Sequence, residues 1–163
     1  MEIQPVVHNT FTVERNYPAA PERVFLAFSD QSKKRRWFAE GEHHTIEAYD
    51  LDFRDGGTEH YSSRFNEGTP VAGKALTNES IFQNIVPNRR IVFTSTMWVG
   101  GKCISISVAT VELEPADKGT NLTLTFQSAF LEGADGPAMR EAGWRTLLGK
   151  LGAELERRKR GGR

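Results

Sequence analysis

His43, His44 and His60 lie near Glu42 and Glu59, and these are residue types that ligate divalent metals. Their spacing points elsewhere. His43 and His44 are adjacent, so on an extended chain they face opposite sides, and no His-x-x-x-His or Cys-x-x-Cys spacing supports them. No metal site and no cofactor is therefore expected. Cys103 sits beside a Gly-Gly turn with no histidine near it in sequence, and no Gly-x-Ser-x-Gly elbow or glycine-rich phosphate loop occurs. No catalytic residue is assigned. The densest basic run, Lys33-Lys34-Arg35-Arg36, precedes Trp37 and Phe38 and is expected to form the solvated face of a short helix. Asp52 and Arg54 share strand parity about 7 Å apart. They are opposite in parity to Tyr49, Leu51 and Phe53, which suits a brace for a hairpin better than an anchor for a ligand carboxylate.

The totals limit the partners. The chain has 163 residues, enough for one domain with its own core, and 21 basic residues balance 21 acidic ones. Neutrality, and the lack of stacking aromatics interleaved with the basic run, argue against nucleic acid. A single cysteine suits a reducing compartment, the N-terminus lacks a secretory pattern, and no apolar run approaches the roughly 20 residues that span a bilayer. A cytoplasmic protein without membrane contact is expected.

Several elements are needed to position these residues. His8 to Tyr17 alternates as a strand, and Ala20-Pro21-Glu22 opens a helix whose apolar face is Val24, Phe25 and Phe28. Asp30 or Ser32 caps a second short helix ending near Trp37 and Phe38. From about residue 44 the period becomes 2, and strands are separated by Asp55-Gly56-Gly57, Asn66-Glu67-Gly68, Pro87-Asn88, Gly100-Gly101 and Pro115 to Gly119. One strand is expected from Val71 to Val86. Within residues 102–114, Ile104, Ile106 and Val108 share one parity while Val111 and Leu113 share the other, which predicts a bulge near Ala109-Thr110. Short turns imply antiparallel neighbours. Trp144, Leu147, Leu148, Leu151 and Leu155 then fall on one face of a helix over roughly 137–158, about 33 Å long. Gly143, Gly149 and Gly152 interrupt it, either packing closely on the sheet or leaving room for a ligand. The core spans about 8–158, and a basic tail, 157–163, frays beyond it.

This order resembles the helix-grip fold of START-like proteins: an α+β domain in which a curved antiparallel sheet of about seven strands wraps a long C-terminal helix. The motifs are similar to those of the AHSA family, relatives of the C-terminal domain of a heat-shock chaperone's ATPase activator. They are Ala20 to Phe25, Arg36-Trp37-Phe38, Asp52 to Gly57, Pro87 to Thr94, Gly119 to Leu124, and Gly143-Trp144. The resemblance implies a hydrophobic cavity between helix and sheet and no particular reaction. The chaperone activator carries a further N-terminal domain not found in these residues.

The expected ligand site comprises Tyr49, Tyr61, Phe65, Phe82, Phe93, Met97, Phe126, Trp144 and Leu148. Tyr49, Tyr61 and Ser95 supply polar handles, and Trp37 and Phe38 form the entrance. The function expected is binding of a small, largely hydrophobic molecule. A polyketide cyclase or aromatase would need an acid–base group facing inward, and none is evident from strand parity. A stress-related chaperone partner, or a homodimer through the open sheet face, would instead expose a large apolar patch.

Overall fold

The computed structural model describes residues 4–160. Strand β1 (Val7–Tyr17) is followed by helix α1 (Pro21–Ser29), helix α2 (Gln31–Lys34) and a π-helical turn (Arg35–Ala39). Strands β2 (His44–Leu51), β3 (Thr58–Phe65), β4 (Ala75–Val86), β5 (Arg90–Val99), β6 (Lys102–Ala116) and β7 (Gly119–Phe130) then lead to helix α3 (Pro137–Arg160). The seven strands form one antiparallel sheet in the order β1-β7-β6-β5-β4-β3-β2. The helices between β1 and β2 carry the chain from one edge to the other, and the meander returns it. Residues 161–163 of the predicted tail lie outside the described residues. Among the described residues, no helix is long and apolar enough to cross a membrane.

Local chemistry accounts for the joints. Pro21 occupies the first turn of α1, and the Asp30 carboxylate caps α2 by accepting from the Lys33 amide at 3.0 Å. The turn after β2 is held to β4 by Gly56 N–H to Phe82 O and Phe82 N–H to Gly57 O, at 2.7 and 2.9 Å. A Cβ on Gly57 would lie 2.1 Å from the Asp52 carbonyl, so only glycine fits there. Arg54 pairs with Asp52 at 2.9 Å on the surface, as a hairpin brace.

Two strand expectations are corrected. β4 starts at Ala75, because Thr69 to Gly73 form turns, with Gly73 at φ +80°. The bulge lies at Ile104, where Met97 pairs with Ser105 but Trp98 pairs with Cys103; through Ala109 and Thr110 the register is unbroken. Ile106 and Val108 consequently face outward, 46% and 38% exposed, and the inner face is Ser105, Ser107, Ala109, Val111 and Leu113.

The core lies under the C-terminal half of α3. Leu148, Leu151 and Leu155 pack with Val13, Val24, Val111, Leu122 and Leu124, each worth about 1.5–3 kcal/mol on burial. Polar contacts fix the helix there: Tyr17 OH donates to Leu148 O at 2.7 Å, and Arg23 donates to Leu155 O at 2.7 Å. Gly152 lies over the Tyr17 ring, where a Cβ would sit 3.4 Å from Cε1.

Arg36 donates to both oxygens of Glu154, at 2.9 and 2.7 Å. Hydrogen bonding from Arg36 holds the Glu154 carboxyl below the usual carboxylate range. The folded state therefore prefers the ionised form. Its stabilisation is complete above the ordinary value of about 4.3 and is lost as pH falls below it. Glu154→Gln should cost about 1 kcal/mol at pH 7, since solvent screens the half-open Arg36. Thermal melts should show that deficit shrinking below pH 4; a constant deficit would refute the ionic origin.

Candidate functional site

The cavity under the N-terminal half of α3 follows from which residues lie side by side across the sheet. One lateral row on the inner face reads Phe82, Phe93, Ala109, Phe126, Phe11. The next reads Glu59, Ser80, Ser95, Ser107, Ser128, and the one after reads Tyr61, Asn78, Met97, Ser105, Phe130. A file of serines between two rows of larger residues is a trough, and a straight helix laid across it leaves space. That space measures about 360 Å³ and is bordered by α3 on one side and by β3, β4, β5 and β7 on the other. Phe38 and His44 border it at the β2 end, and Arg140 and Asp135 near the start of α3.

Of the expected residues, Tyr61, Phe93, Ser95, Met97, Phe126 and Trp144 stand on its wall. The other five lie elsewhere. Leu148 is in the core beneath the second half of α3, and Phe82 is sealed between Phe53 and Phe93. Tyr49 stands behind Tyr61, and Phe65 lies at the end of β3 opposite His44. Trp37 is no entrance: it is 1% exposed, donates to Ala27 O at 2.8 Å and meets Phe28 edge-on. Trp37 points inward, and its neighbour Phe38 on the same turn reaches the wall. The π-turn, closed by Glu40 N–H to Arg35 O at 3.0 Å, sets that orientation. Gly149 lies in open space, whereas Gly143 borders the cavity, with nothing within 4 Å of a Cβ placed on it.

Sequence reasoning missed three polar features. Asn78 shares parity with Leu76 and Ser80, so its inward position was legible, yet no chemistry was attached to it. Its buried Oδ1 has no hydrogen-bond partner. Arg140, 8% exposed, spends Nε and Nη2 on Asp135 at 2.8 and 2.7 Å, and Nη2 also donates to Ser105 Oγ at 3.1 Å. Its guanidinium lies 5.2 Å from the Phe130 ring centroid. Third, the basic run is not simply a solvated face: Lys34 is 3% exposed and donates to both oxygens of Glu59, itself 3% exposed, at 3.1 and 2.9 Å.

Tyr49 OH donates to the same Glu59 carboxylate at 2.5 Å, and Lys34 Nζ lies 4.4 Å from the Phe38 ring centroid. Burial, reinforced by the Glu59 charge, pushes the Tyr49 hydroxyl well above its ordinary pKa, so it stays a donor. Burial likewise raises Tyr61, which donates to Ala39 O at 2.9 Å. His44 Nε2 shares that carbonyl, also at 2.9 Å. The three histidines do not converge: His44 is on the cavity wall, His60 pairs with Glu79 at 3.0 Å, and His43 borders an adjoining hollow with His44, Lys150 and Glu40. Lys150 donates to the Glu40 carbonyl, and partial burial lowers its pKa.

The Lys34–Glu59 pair holds the wall-forming Phe38 against β3. Lys34→Met would leave a carboxylate buried without its cation, a loss of about 3–5 kcal/mol. Lys34→Met combined with Glu59→Gln should recover much of it, because the amide remains an acceptor for Tyr49. Urea denaturation of the cycle checks this; a double variant no better than the single one contradicts the assignment.

No curated protein matches the chain. Among solved structures it is similar to an uncharacterised protein from Rhizobium leguminosarum, with 35% identity, TM-score 0.87, and coverage of 94% of this chain and 97% of that one. It is also similar to Mll3558 from Rhizobium loti, with 45% identity, TM-score 0.81 and coverage of 93% and 99%. DynU16, a protein of the dynemicin biosynthetic locus, shares the fold at 21% identity and TM-score 0.60, over 90% of this chain and 47% of that one. The sequence model of the family described as Activator of Hsp90 ATPase homolog 1-like protein matches residues 18–156, and the chain belongs to that family.

Proposed function

We propose that the protein binds a small, largely hydrophobic molecule in the cavity between α3 and the sheet. The observation that carries this reading is the cavity itself: about 360 Å³, walled by Phe38, Phe93, Met97, Phe126, Trp144 and Leu147. That volume falls in the range of ligand pockets, and most of the exposed wall is apolar. A ligand burying about 200 Å² of apolar surface would gain roughly 5 kcal/mol before the cost of immobilisation.

A second reading is a ring-closing enzyme of the cyclase type, supported by His44 and Arg140 on the same wall and by the fold shared with DynU16. It differs in requiring turnover. A protein-interaction role draws on less: Ile81 and Val108 are exposed on the outer face, but Thr94 lies between them in register.

Native mass spectrometry of protein purified from its source should reveal a co-purifying small molecule. The decisive variant is Gly143→Leu: Gly143 borders the cavity, a Cβ built there meets nothing within 4 Å, and the change replaces a helix-interior glycine. Stability should rise by up to about 1 kcal/mol while ligand retention falls at least tenfold. Retention unchanged by a stably folded Gly143→Leu would count against this site.

A further inference from the structure

We propose that Lys150 is the nucleophile of a second site, in the hollow adjoining the cavity, where its amine forms an imine with a hydrophobic aldehyde. The adjoining hollow, about 760 Å³, lies between α3 and the segment that joins the π-turn to β2. Phe38, His44, Thr146 and Leu147 border both spaces, so the two share a wall. Most of the exposed wall of the adjoining hollow is apolar, and its ionisable residues are Arg36, Glu40, Glu42, His43, His44 and Lys150.

Several observations single out this lysine. It follows Gly143, Thr146 and Leu147 at helical spacing, so all four fall on the face of α3 that overlooks both spaces. Its amine donates to the Glu40 carbonyl, a group that only accepts, so the nitrogen lone pair of the neutral amine stays unshared. The neighbouring charges are matched elsewhere: Glu40 pairs with Arg35 at 3.3 Å and Glu154 with Arg36 at 2.7 Å. Among the described residues no carboxylate lies within ion-pair distance of Lys150. Partial burial lowers its pKa, against the opposing charges of Glu40 and Glu42, and so enriches the nucleophilic form. Lys34, more deeply buried, is instead spent on Glu59 at 2.9 Å.

The surroundings select the reagent. Glu40 and Glu42 disfavour an acid, whereas Phe38 and Leu147 offer apolar surface to a hydrocarbon group. In the reaction the amine lone pair attacks the carbonyl carbon, and the C=O π pair moves to oxygen. Both N–H protons end on that oxygen, which leaves as water, and a C=N bond remains.

Trapping with sodium cyanoborohydride at pH 7, followed by peptide mass spectrometry, tests this with benzaldehyde and acetaldehyde. Benzaldehyde should mark Lys150 at least about tenfold faster than the exposed Lys74, Lys102 and Lys118. Acetaldehyde, which has no ring to seat against Phe38 and Leu147, should show little of that preference. Lys150→Arg should abolish the fast label; circular dichroism checks its folding, and the comparison among lysines of the unmutated protein decides even if it does not fold. Gly143→Leu narrows the cavity and should leave the Lys150 label in place. Loss of the label in that variant would seat the aldehyde in the cavity and overturn the adjoining hollow as the site. Equal marking of all four lysines by both aldehydes would overturn Lys150 as the nucleophile. A fast Lys150 label that is the same for both aldehydes would overturn the hydrophobic class of the substrate.

Discussion

The seating of α3 on the sheet is the constraint on which the rest of the structure depends. Its C-terminal half is held by three kinds of contact at once: leucines in the core, main-chain acceptors taken by Tyr17 and Arg23, and the Arg36–Glu154 pair. Its N-terminal half crosses the serine trough and is held at the edge by Arg140. A helix of 24 residues, about 36 Å long, is stiff enough that fastening one half also determines where the other must lie. The hollow is therefore a consequence of side-chain size beneath a rigid roof.

The remaining wall is built by the connection between β1 and β2. A short helix with a π-turn delivers Trp37 to the core and Phe38 to the cavity, and the buried Lys34 clamps that turn to Glu59 on β3. Aromatic contacts continue the wall from Phe38 to Tyr61 on one side and to Trp144 on the other, both at 6.1 Å between centroids. Sheet, connection and helix each contribute aromatic surface, while the polar groups in the space stay few.

Most of the fold was legible because it is written in periodicities. The leucine stripe of α3 and the turn residues between strands report burial directly, and burial sets both. The bulge was misplaced because Ile106 and Val108 were assumed to face inward; β-branched residues also suit an outer sheet face, so apolar character alone does not fix a side. Sequence reasoning did name Tyr61 and Ser95 as polar groups of one pocket, and both border the hollow. It could not separate a wall from a filled core, which is why Phe82 and Leu148 were grouped with Phe93 and Trp144. The buried charges were harder still. Lys34 lies in a run of four cations, and what distinguishes it from Lys33 is a carboxylate brought beside it by a strand 25 residues later.

The unequal fastening of α3 separates the positions that hold the fold from those that shape the hollow. Positions 139, 143 and 147 overlook the hollow, whereas the principal anchors begin at 148. Substitution at Met139 or Gly143 changes the size of the hollow and spares the buried Arg140, Trp144 and the leucines that seat the helix. A lineage built this way can vary the shape of the hollow while its backbone stays recognisable.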